Sequence, residues 1–288
     1  MSGRILDGRE LASHLRRELG HRLAALGVTA DDEGEEESTN AVRLAIVTDG
    51  RSEAAKLYAA SLERAARSIG AATEILTDTV SPGDEIARLN ADPQVSGIVV
   101  AQPFADPEVG RRLVEHIDPE KDVDGATPTS AGRLARGEPA MVPATALAVV
   151  AMLDAYGIAI AGKRAVVVGR SAVVGRPVAS LLLARDATVV ICHRSTHNLA
   201  RETRRAELLV VAAGAPGVIR SEMVNRSAVI VDCGINPTDD GRIVGDVAFE
   251  TVAPVVRAIT PVPGGIGPVT PMMVLRQMVE AAERVAAA

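Results

Sequence analysis

The segment at residues 260–271 has a composition suited to binding a ligand through its backbone. It reads TPVPGGIGPVTP, with four prolines and three glycines in twelve positions. Because proline lacks an N–H donor and glycine has little conformational preference, this composition predicts a shaped loop and excludes a regular helix or strand. Such a loop can bind a flat, polar ligand with main-chain groups. The alternative is a proline-stiffened connector between two domains.

A second segment, residues 169–177, is suited to binding a phosphate. It reads GRSAVVGRP and lies between the apolar runs AVVV and VASLLLA, which predict a strand and a helix. A glycine turn between them places backbone N–H groups and the positive end of a helix dipole together. The pattern differs from G-x-G-x-x-G, and glycine serving only tight packing is the alternative. The candidate cofactor residues here are Gly169, Arg170, Ser171, Val174 and Gly175.

The end of the following predicted strand indicates which dinucleotide would bind. It reads ICHRSTHN and carries His193, Arg194 and Ser195, with no carboxylate for a ribose 2′-hydroxyl. Basic residues at this place accommodate a 2′-phosphate, so the sequence favours NADP over NAD. A solvated surface arginine is the alternative. Glycine turns after later strands add Gly214, Gly234 and Ile235, which we expect on the nicotinamide side.

The elements that must position these segments alternate between strand and helix. Continuous apolar runs without polar alternation predict parallel strands that are covered on both faces. The predicted strands are residues 42–47, 73–76, 97–100, 165–168, 187–191, 208–211 and 228–231. The predicted helices include residues 52–68, 83–89, 107–116, 145–156 and 270–287. We expect an α/β fold of two domains with parallel sheets and a cleft between them, the second domain being Rossmann-like.

The predicted domains have bounds within the 288 residues. The first comprises residues 1–144 plus 270–288, and the second comprises residues 145–269. No apolar run approaches the roughly 18 residues of a membrane span, and the two cysteines suit a reducing compartment, so we expect a cytoplasmic protein without a membrane partner. Four aromatic residues and no basic stripe argue against a nucleic-acid partner.

The net charge of −6 is explained by an acidic run at residues 31–37, DDEGEEE. Acidic and basic residues are equal in number elsewhere. A solvated, mobile surface loop is the prediction for this run, and a docking tail is the alternative. The sequence predicts no metal site.

Three passages together carry a family resemblance. GRSAVVGRP, KDVDGATP and TPVPGGIGPVTP, in this order, resemble the methylenetetrahydrofolate dehydrogenase/methenyltetrahydrofolate cyclohydrolase family. The likeness spans nearly the full chain and includes VDCGIN, GDVAF and YAASLERAARSIG. It implies an NADP-dependent oxidoreductase and hydrolase of one-carbon metabolism that acts on a tetrahydrofolate derivative as a homodimer. In the family, the proline-glycine loop holds the folate near the nicotinamide.

The resemblance also assigns roles to residues. It implies that Asp124 holds the pterin ring, although by itself it could be an ordinary turn aspartate before Gly125. It implies catalytic roles for Tyr58 and Asp124, and for Gln102 if this residue replaces the family glutamine. The implied substrate-binding residues are Tyr58, Asp124, Pro263, Gly264, Gly265, Pro268 and Thr270.

The chain departs from the family pattern where proton transfer is expected. The family has a lysine four residues after the tyrosine, but Leu62 stands there. Lys56 precedes Tyr58 by two residues and points about 200° around the helix. Ala101 occupies the family glutamine position, with Gln102 adjacent, and Ala55 replaces a family serine. These changes predict retained binding with impaired acid–base chemistry.

We therefore expect oxidation of 5,10-methylenetetrahydrofolate to 5,10-methenyltetrahydrofolate with NADP, with cyclohydrolase activity weak or lost. Two alternatives stay open. One is a non-catalytic paralogue that binds folate, NADP or both, and the other is a specialised NADP-dependent enzyme with a different substrate. The sequence leaves open whether Lys56 or Gln102 compensates for Leu62.

Overall fold

The computed structural model of the protein describes residues 3–27, 42–77 and 82–287, and the acidic run lies outside them. The strands are β1 (Arg4–Ile5), β2 (Arg43–Thr48), β3 (Ala72–Thr77), β4 (Val95–Val100), β5 (Arg164–Val168), β6 (Thr188–Cys192), β7 (Leu208–Val211), β8 (Val229–Asp232), β9 (Asn236–Pro237), β10 (Ile243–Val244) and β11 (Ala258–Ile259). The helices are α1 (Gly8–Ala25), α2 (Glu53–Ser68), α3 (Pro82–Ala91), α4 (Pro107–Glu115), α5 (Pro128–Arg136), α6 (Ala144–Ala155), α7 (Gly175–Leu183), α8 (Leu199–Thr203), α9 (Phe249–Val252) and α10 (Ile266–Ala286), with a 3₁₀ turn at Ser221–Met223. The alternation of strands and helices confirms the predicted α/β class.

The chain divides into two compact units. The three-stranded unit contains the described residues of Ser13–Arg133, Pro139–Ala144 and Pro271–Ala288. The six-stranded unit contains those of Met1–Ala12, Leu134–Glu138 and Thr145–Thr270. The domain bounds expected from the sequence stay a prediction. They placed the N-terminal residues in the first domain, whereas β1 pairs with β11 in the six-stranded sheet.

The three-stranded unit has a parallel sheet in the order β3-β2-β4. Its central strand, β2, is buried along nearly its whole length, which accounts for the apolar run LAIV. Helix α2 begins after Ser52, whose side chain accepts a hydrogen bond from the Ala55 N–H. Its buried residues recur at helical spacing and include Ala59 and Leu62. This packing holds one face of α2 in the core and leaves the other in water.

The six-stranded unit has a sheet in the order β1-β11-β8-β7-β5-β6. The strand pairs in it are parallel. The residues of β7 and β8 are buried throughout, as the uninterrupted apolar runs predict. Their carboxyl ends, like those of β5 and β6, lie at one edge of the sheet. In a doubly wound sheet this edge is where ligands bind, and it carries the predicted cofactor residues.

The expected loop at residues 260–271 is shorter than predicted, because α10 begins at Ile266. The sequence argument that prolines exclude a helix was wrong for the second half of the segment. Pro268 occupies the third position of the helix, where the N–H needs no partner within the helix. Pro271 lies inside the helix and removes one backbone hydrogen bond. The packed apolar residues that follow outweigh this local cost, and the loop proper covers residues 260–265.

Both cysteines are free thiols. Among the helices of the described residues, none combines the length and the apolar character that crossing a membrane requires.

Candidate active site

The turn between β5 and α7 is tight enough to require glycine at two positions. Gly169 has φ +130°, and a Cβ added to it would lie 2.1 Å from the Ala212 carbonyl oxygen. A Cβ on Gly175 would lie 2.2 Å from the Gly169 carbonyl oxygen. Both distances are far below van der Waals contact, so the backbone adopts this turn only with glycine at these positions.

The turn also presents backbone donors. The Ser171 hydroxyl oxygen accepts hydrogen bonds from the N–H groups of Val174 (3.1 Å) and Gly175 (3.3 Å). Within the described parts of the chain, the N–H groups of residues 170–173 donate to no protein acceptor. Helix α7 begins directly afterwards, at Gly175. Free N–H groups beside a helix N-terminus fit a phosphate group, so the residues present suit a dinucleotide.

The residues after β6 form a compact polar turn. The His193 N–H donates to Thr196 Oγ1 (2.8 Å), and the Ser195 N–H donates to His193 Nδ1 (3.2 Å). Arg194 and Ser195 are exposed, as is Arg170 in the preceding turn. Neither arginine forms a salt bridge with any residue that the structure describes. Their guanidinium groups are therefore free to bind an anion.

A buried carboxylate that the sequence argument missed organises the turn after β7. Asp246 accepts hydrogen bonds from the N–H groups of Ala213 (2.6 Å), Gly214 (2.9 Å) and Ala215 (2.9 Å). Its Oδ1 also accepts from Asn236 Nδ2 at 2.8 Å. Asp246 is fully buried. The sequence signal was an acidic residue within the apolar segment GDVAF, which predicts a buried, hydrogen-bonded carboxylate.

A second buried carboxylate organises the turn after β8. Asp232 accepts hydrogen bonds from the N–H groups of Gly234 (2.9 Å) and Val247 (2.9 Å). Burial raises the pKa of Asp232 to about 6, against the lowering effect of these hydrogen bonds. Beyond this turn, the side chain of Ile235 is 67% exposed. The rigid backbone thus presents an apolar side chain at the predicted nicotinamide side.

The proline-glycine loop is folded closely on itself. The Val262–Pro263 peptide bond is cis, and Gly264 has φ +111°. A Cβ on Gly264 would lie 2.7 Å from the guanidinium carbon of Arg9, and one on Gly265 would lie 2.6 Å from the Pro261 carbonyl oxygen. Pro263 is exposed, whereas Pro268 and Thr270, in the first turns of α10, are half-buried. The loop backbone therefore has a fixed shape that leaves Pro263 accessible.

In the three-stranded unit, Tyr58 and Asp124 meet. The Tyr58 hydroxyl donates a hydrogen bond to Asp124 Oδ2 at 3.2 Å. Burial raises the pKa of Asp124 to about 7, the Tyr58 hydrogen bond and the Ala144 N–H act against this rise, and the charge of Asp122 adds to it. Burial, followed by the Asp124 charge, raises the pKa of Tyr58 well above its usual value. Burial thus keeps the pKa of the Asp124 carboxyl group well above that of an exposed aspartate.

The positions that depart from the family pattern are apolar or turned outward. Leu62 is fully buried, with no exposed surface. The Lys56 ammonium lies 2.8 Å from Glu53 Oε1 on the exposed face of α2, so it is engaged away from the core. Among the described residues, the Lys56 ammonium forms no hydrogen bond with Tyr58 or Asp124.

The glutamine next to the family position also faces outward. Ala101 is fully buried. Gln102 is exposed, its Oε1 accepts from the Phe104 N–H at 3.2 Å, and its amide packs against Gly110 of α4. Its described hydrogen bonds do not include Tyr58 or Asp124. The catalytic role of Gln102 therefore remains a prediction without a supporting contact.

The sequence matches two family models that together span most of the chain. The catalytic domain of tetrahydrofolate dehydrogenase/cyclohydrolase matches residues 6–124, and the NAD(P)-binding domain of the same family matches residues 143–286. The chain belongs to this family. The predicted family resemblance is confirmed, and the Rossmann-like assignment of the second sheet agrees with the NAD(P)-binding description.

Members of the family resemble the chain over nearly its whole length. The bifunctional protein FolD 1 of Saccharopolyspora erythraea is 45% identical, covering 98% of this chain and 94% of the relative. The bifunctional protein FolD of Chloroflexus aggregans is 44% identical, covering 98% of each.

A solved structure described as FolD of Trypanosoma brucei complexed with NADP cofactor and inhibitor superimposes with a TM-score of 0.90. The two sequences are 32% identical, and the match covers 100% of each chain.

Proposed function

We propose that the protein oxidises 5,10-methylenetetrahydrofolate to 5,10-methenyltetrahydrofolate with NADP⁺, and hydrolyses the product weakly or not at all. The observation that carries this proposal is a contrast between the residues suited to binding and the residue at the proton-transfer position. The glycine turn at residues 169–175 and the Tyr58–Asp124 pair are built for binding. Leu62, at the position of the family lysine, is an apolar side chain buried in the core.

The six-stranded unit would hold the cofactor. When bound, NADP⁺ supplies a hydride acceptor at its nicotinamide ring. The free N–H groups of residues 170–173 suit its pyrophosphate, and Arg194, Ser195 and Arg170 suit the 2′-phosphate that distinguishes NADP from NAD. The turns held by Asp246 and Asp232 would bound the nicotinamide side. No acid or base is needed for the hydride step, because the reacting carbon is flanked by nitrogen lone pairs.

The three-stranded unit would hold the pterin ring. Asp124 can accept hydrogen bonds when ionised and donate one when protonated, and a pKa of about 7 keeps both forms populated near neutral pH. Tyr58 fixes the orientation of this carboxyl group through its 3.2 Å hydrogen bond. A planar pterin presents adjacent donors and acceptors, which a carboxyl group can match.

Hydrolysis of the methenyl product needs a group that moves a proton to or from water. Leucine has neither a proton to exchange nor a charge, and Leu62 is closed off from solvent. Lys56 is paired with Glu53 on the exposed face, and Gln102 packs against Gly110. The side chains that are present therefore support binding and hydride transfer better than water activation.

The test follows the two reactions separately. Purified protein is mixed with methylenetetrahydrofolate and NADP⁺, and NADPH formation is monitored. Methenyltetrahydrofolate is then supplied alone, and the decay of its absorbance is compared with the decay without protein. We expect NADPH formation without faster decay.

Equal acceleration of both steps would refute the impaired hydrolysis. Binding without any NADPH formation would favour the non-catalytic alternative, and turnover of only another folate derivative would favour the specialised enzyme.

We also propose that the protein is a homodimer. Strand β6 is an edge of the six-stranded sheet, and it carries Ile191 with 42% of its surface exposed. An unpaired apolar edge strand is a common site of association between copies of a chain. Sedimentation of the wild-type protein should give a dimer, and Ile191→Lys should shift it towards monomer.

The two free thiols fit a reducing compartment, and this supports our proposal of a cytoplasmic location. Fractionation of cells that express the tagged protein tests it, and recovery outside the cytoplasmic fraction counts against it.

A further inference from the structure

Gln277 of α10 has a buried side-chain amide that is nearly fully hydrogen-bonded. It is 4% exposed. Its Nε2 donates to the carbonyl oxygens of Val123 (2.7 Å) and Val142 (2.9 Å), and its Oε1 accepts from the Val142 N–H (2.8 Å). Both amide protons and one lone pair of the oxygen are used. Burying an amide is favourable only when it is satisfied in this way, so its geometry is well determined.

The atoms that Gln277 contacts belong to the two segments around Asp124. Val123 directly precedes Asp124. Val142 lies two residues before Ala144, whose backbone N–H acts to lower the pKa of the Asp124 carboxyl group. The segments touch at Gly125, which has φ +60° and where a Cβ would lie 2.2 Å from the Val142 carbonyl carbon. Gln277 therefore joins the backbone directly before Asp124 to the segment that leads to Ala144 and packs against Gly125.

The turn around Asp124 has a second, independent anchor. Asp122 is fully buried and accepts hydrogen bonds from Ala126 N–H (2.9 Å), Thr127 N–H (2.9 Å) and Ser130 Oγ (2.6 Å). These bonds hold the residues after Asp124 and do not involve α10. A change at Gln277 would thus loosen the backbone before Asp124, while Asp122 continues to hold the residues that follow it.

We propose that Gln277 is a positioning residue for the folate site: it sets the place of the Asp124 carboxyl group by holding Val123 and Val142. This inference rests on the proposed function, in which Asp124 binds the pterin ring. Its alternative is that Gln277 only fills space and stabilises the fold. The two differ in their effect on substrate binding, because a loss of folded protein lowers the number of working sites without changing the affinity of each site.

The experiment compares two length-matched variants with a neighbouring control. Gln277→Met removes the donors and the acceptor without adding a charge. Gln277→Glu keeps the shape but turns a carboxylate towards two carbonyl oxygens. Arg276→Ala is the control, because Arg276 is exposed on the same helix and, among the residues that the structure describes, pairs only with Glu280. For each protein, KM is measured for methylenetetrahydrofolate and for NADP⁺, and tetrahydrofolate binding is measured by calorimetry.

We expect both Gln277 variants to raise the KM for methylenetetrahydrofolate and the Kd for tetrahydrofolate by roughly tenfold or more, as losing well-made buried hydrogen bonds implies. The KM for NADP⁺ should stay within about twofold, because its predicted residues lie in the other unit. Arg276→Ala should leave all constants within about twofold.

A fall in kcat with both KM values unchanged would overturn the positioning role, and so would equal rises in the two KM values. If Gln277→Glu does not fold, Gln277→Met alone decides the matter, since it adds no buried charge. Absence of NADPH formation by the wild-type protein would defeat the proposed function instead. In that case the calorimetric Kd for tetrahydrofolate still tests whether Gln277 positions the site.

Discussion

Replacing Asp124 with asparagine should stabilise the protein while weakening folate binding. The pKa of Asp124 is raised from its ordinary value to about 7, chiefly by burial. The folded state therefore holds this proton more tightly than the unfolded state. Stability is therefore lost as the pH rises from about 4, where the unfolded state ionises, to about 7, where the folded state does. Asparagine keeps the shape and removes the charge.

The magnitude follows from the shift. Raising the pKa from 3.8 to about 7 corresponds to about 4 kcal/mol of lost stability when the group is fully ionised, at about 1.4 kcal/mol per unit. Asp124 keeps partial contact with water, which reduces this figure. Asparagine also has one carbonyl oxygen in place of the two carboxylate oxygens, and the lost acceptor costs about 1 kcal/mol. We expect a net gain in the free energy of unfolding of about 2 kcal/mol at pH 8.5.

The pH dependence separates this effect from a general change in packing. The contribution is absent below about pH 4, where the carboxyl group is protonated in both states, grows between about pH 4 and pH 7, and stays constant above about pH 7. Urea unfolding of ligand-free protein at pH 4.5 and pH 8.5 measures it. Asp239→Asn is the control, because Asp239 is exposed. It should change stability by less than about 0.5 kcal/mol at either pH.

The reasoning about Asp124 is refuted if Asp124→Asn has the same effect at both pH values or destabilises the protein at pH 8.5. The substitution should also raise the KM for methylenetetrahydrofolate by roughly tenfold or more, since a charged or protonated carboxyl group is replaced by a fixed amide. Unchanged folate binding would leave the stability argument intact but would count against Asp124 as a pterin-binding residue.

Three further substitutions test the rest of the site. Gly175→Ala places a methyl group 2.2 Å from the Gly169 carbonyl oxygen, so NADP affinity should fall by roughly tenfold or more. Gly132→Ala is the control, because a Cβ there meets nothing within 4 Å. Equal NADP affinities of the two variants in titration would contradict the tight turn. Arg194→Asp should raise the KM for NADP⁺ by about tenfold or more and reduce the preference for NADP⁺ over NAD⁺. An equal change in KM for both cofactors would exclude a contact between Arg194 and the 2′-phosphate. Leu62→Lys puts an ammonium at a fully buried position, so urea unfolding should show a loss of about 3 kcal/mol or more, against less than about 1.5 kcal/mol for Leu62→Met. Because the wider site has also changed, we expect methenyltetrahydrofolate hydrolysis to stay at background in Leu62→Lys, and its recovery would show that one lost ammonium is the whole defect.

The fold was predictable because its signals are local. The runs AVVV and LLVV gave strands β5 and β7 within one residue of the observed bounds. The apolar spacing around Leu62 gave α2, and continuous apolar strands gave parallel sheets. The start of α10 at Ile266 was not predictable from composition, because proline propensity is a local average and the packing of the following apolar residues decided the outcome.

The candidate site was predictable only in part. Glycine positions such as Gly169 and Gly175 were readable because close backbone approach leaves a residue-type signature. The outward turn of Gln102 was not readable, since adjacent residues of a loop can point either way. The site residues proposed from the family resemblance stay predictions until the substitutions above are measured.

The sequence by itself determined the alternation of strands and helices, the glycine turns and the loss of a titratable group at Leu62. The first two follow from residue type and short-range spacing, and the third follows from the family resemblance. Only the tertiary structure decided that Tyr58 meets Asp124, that Asp246 gathers the N–H groups after β7, and that Gln277 bonds to Val123, 154 positions away. A buried polar group must find partners wherever the folded chain brings them, and that requirement leaves no periodic trace in the order of residues.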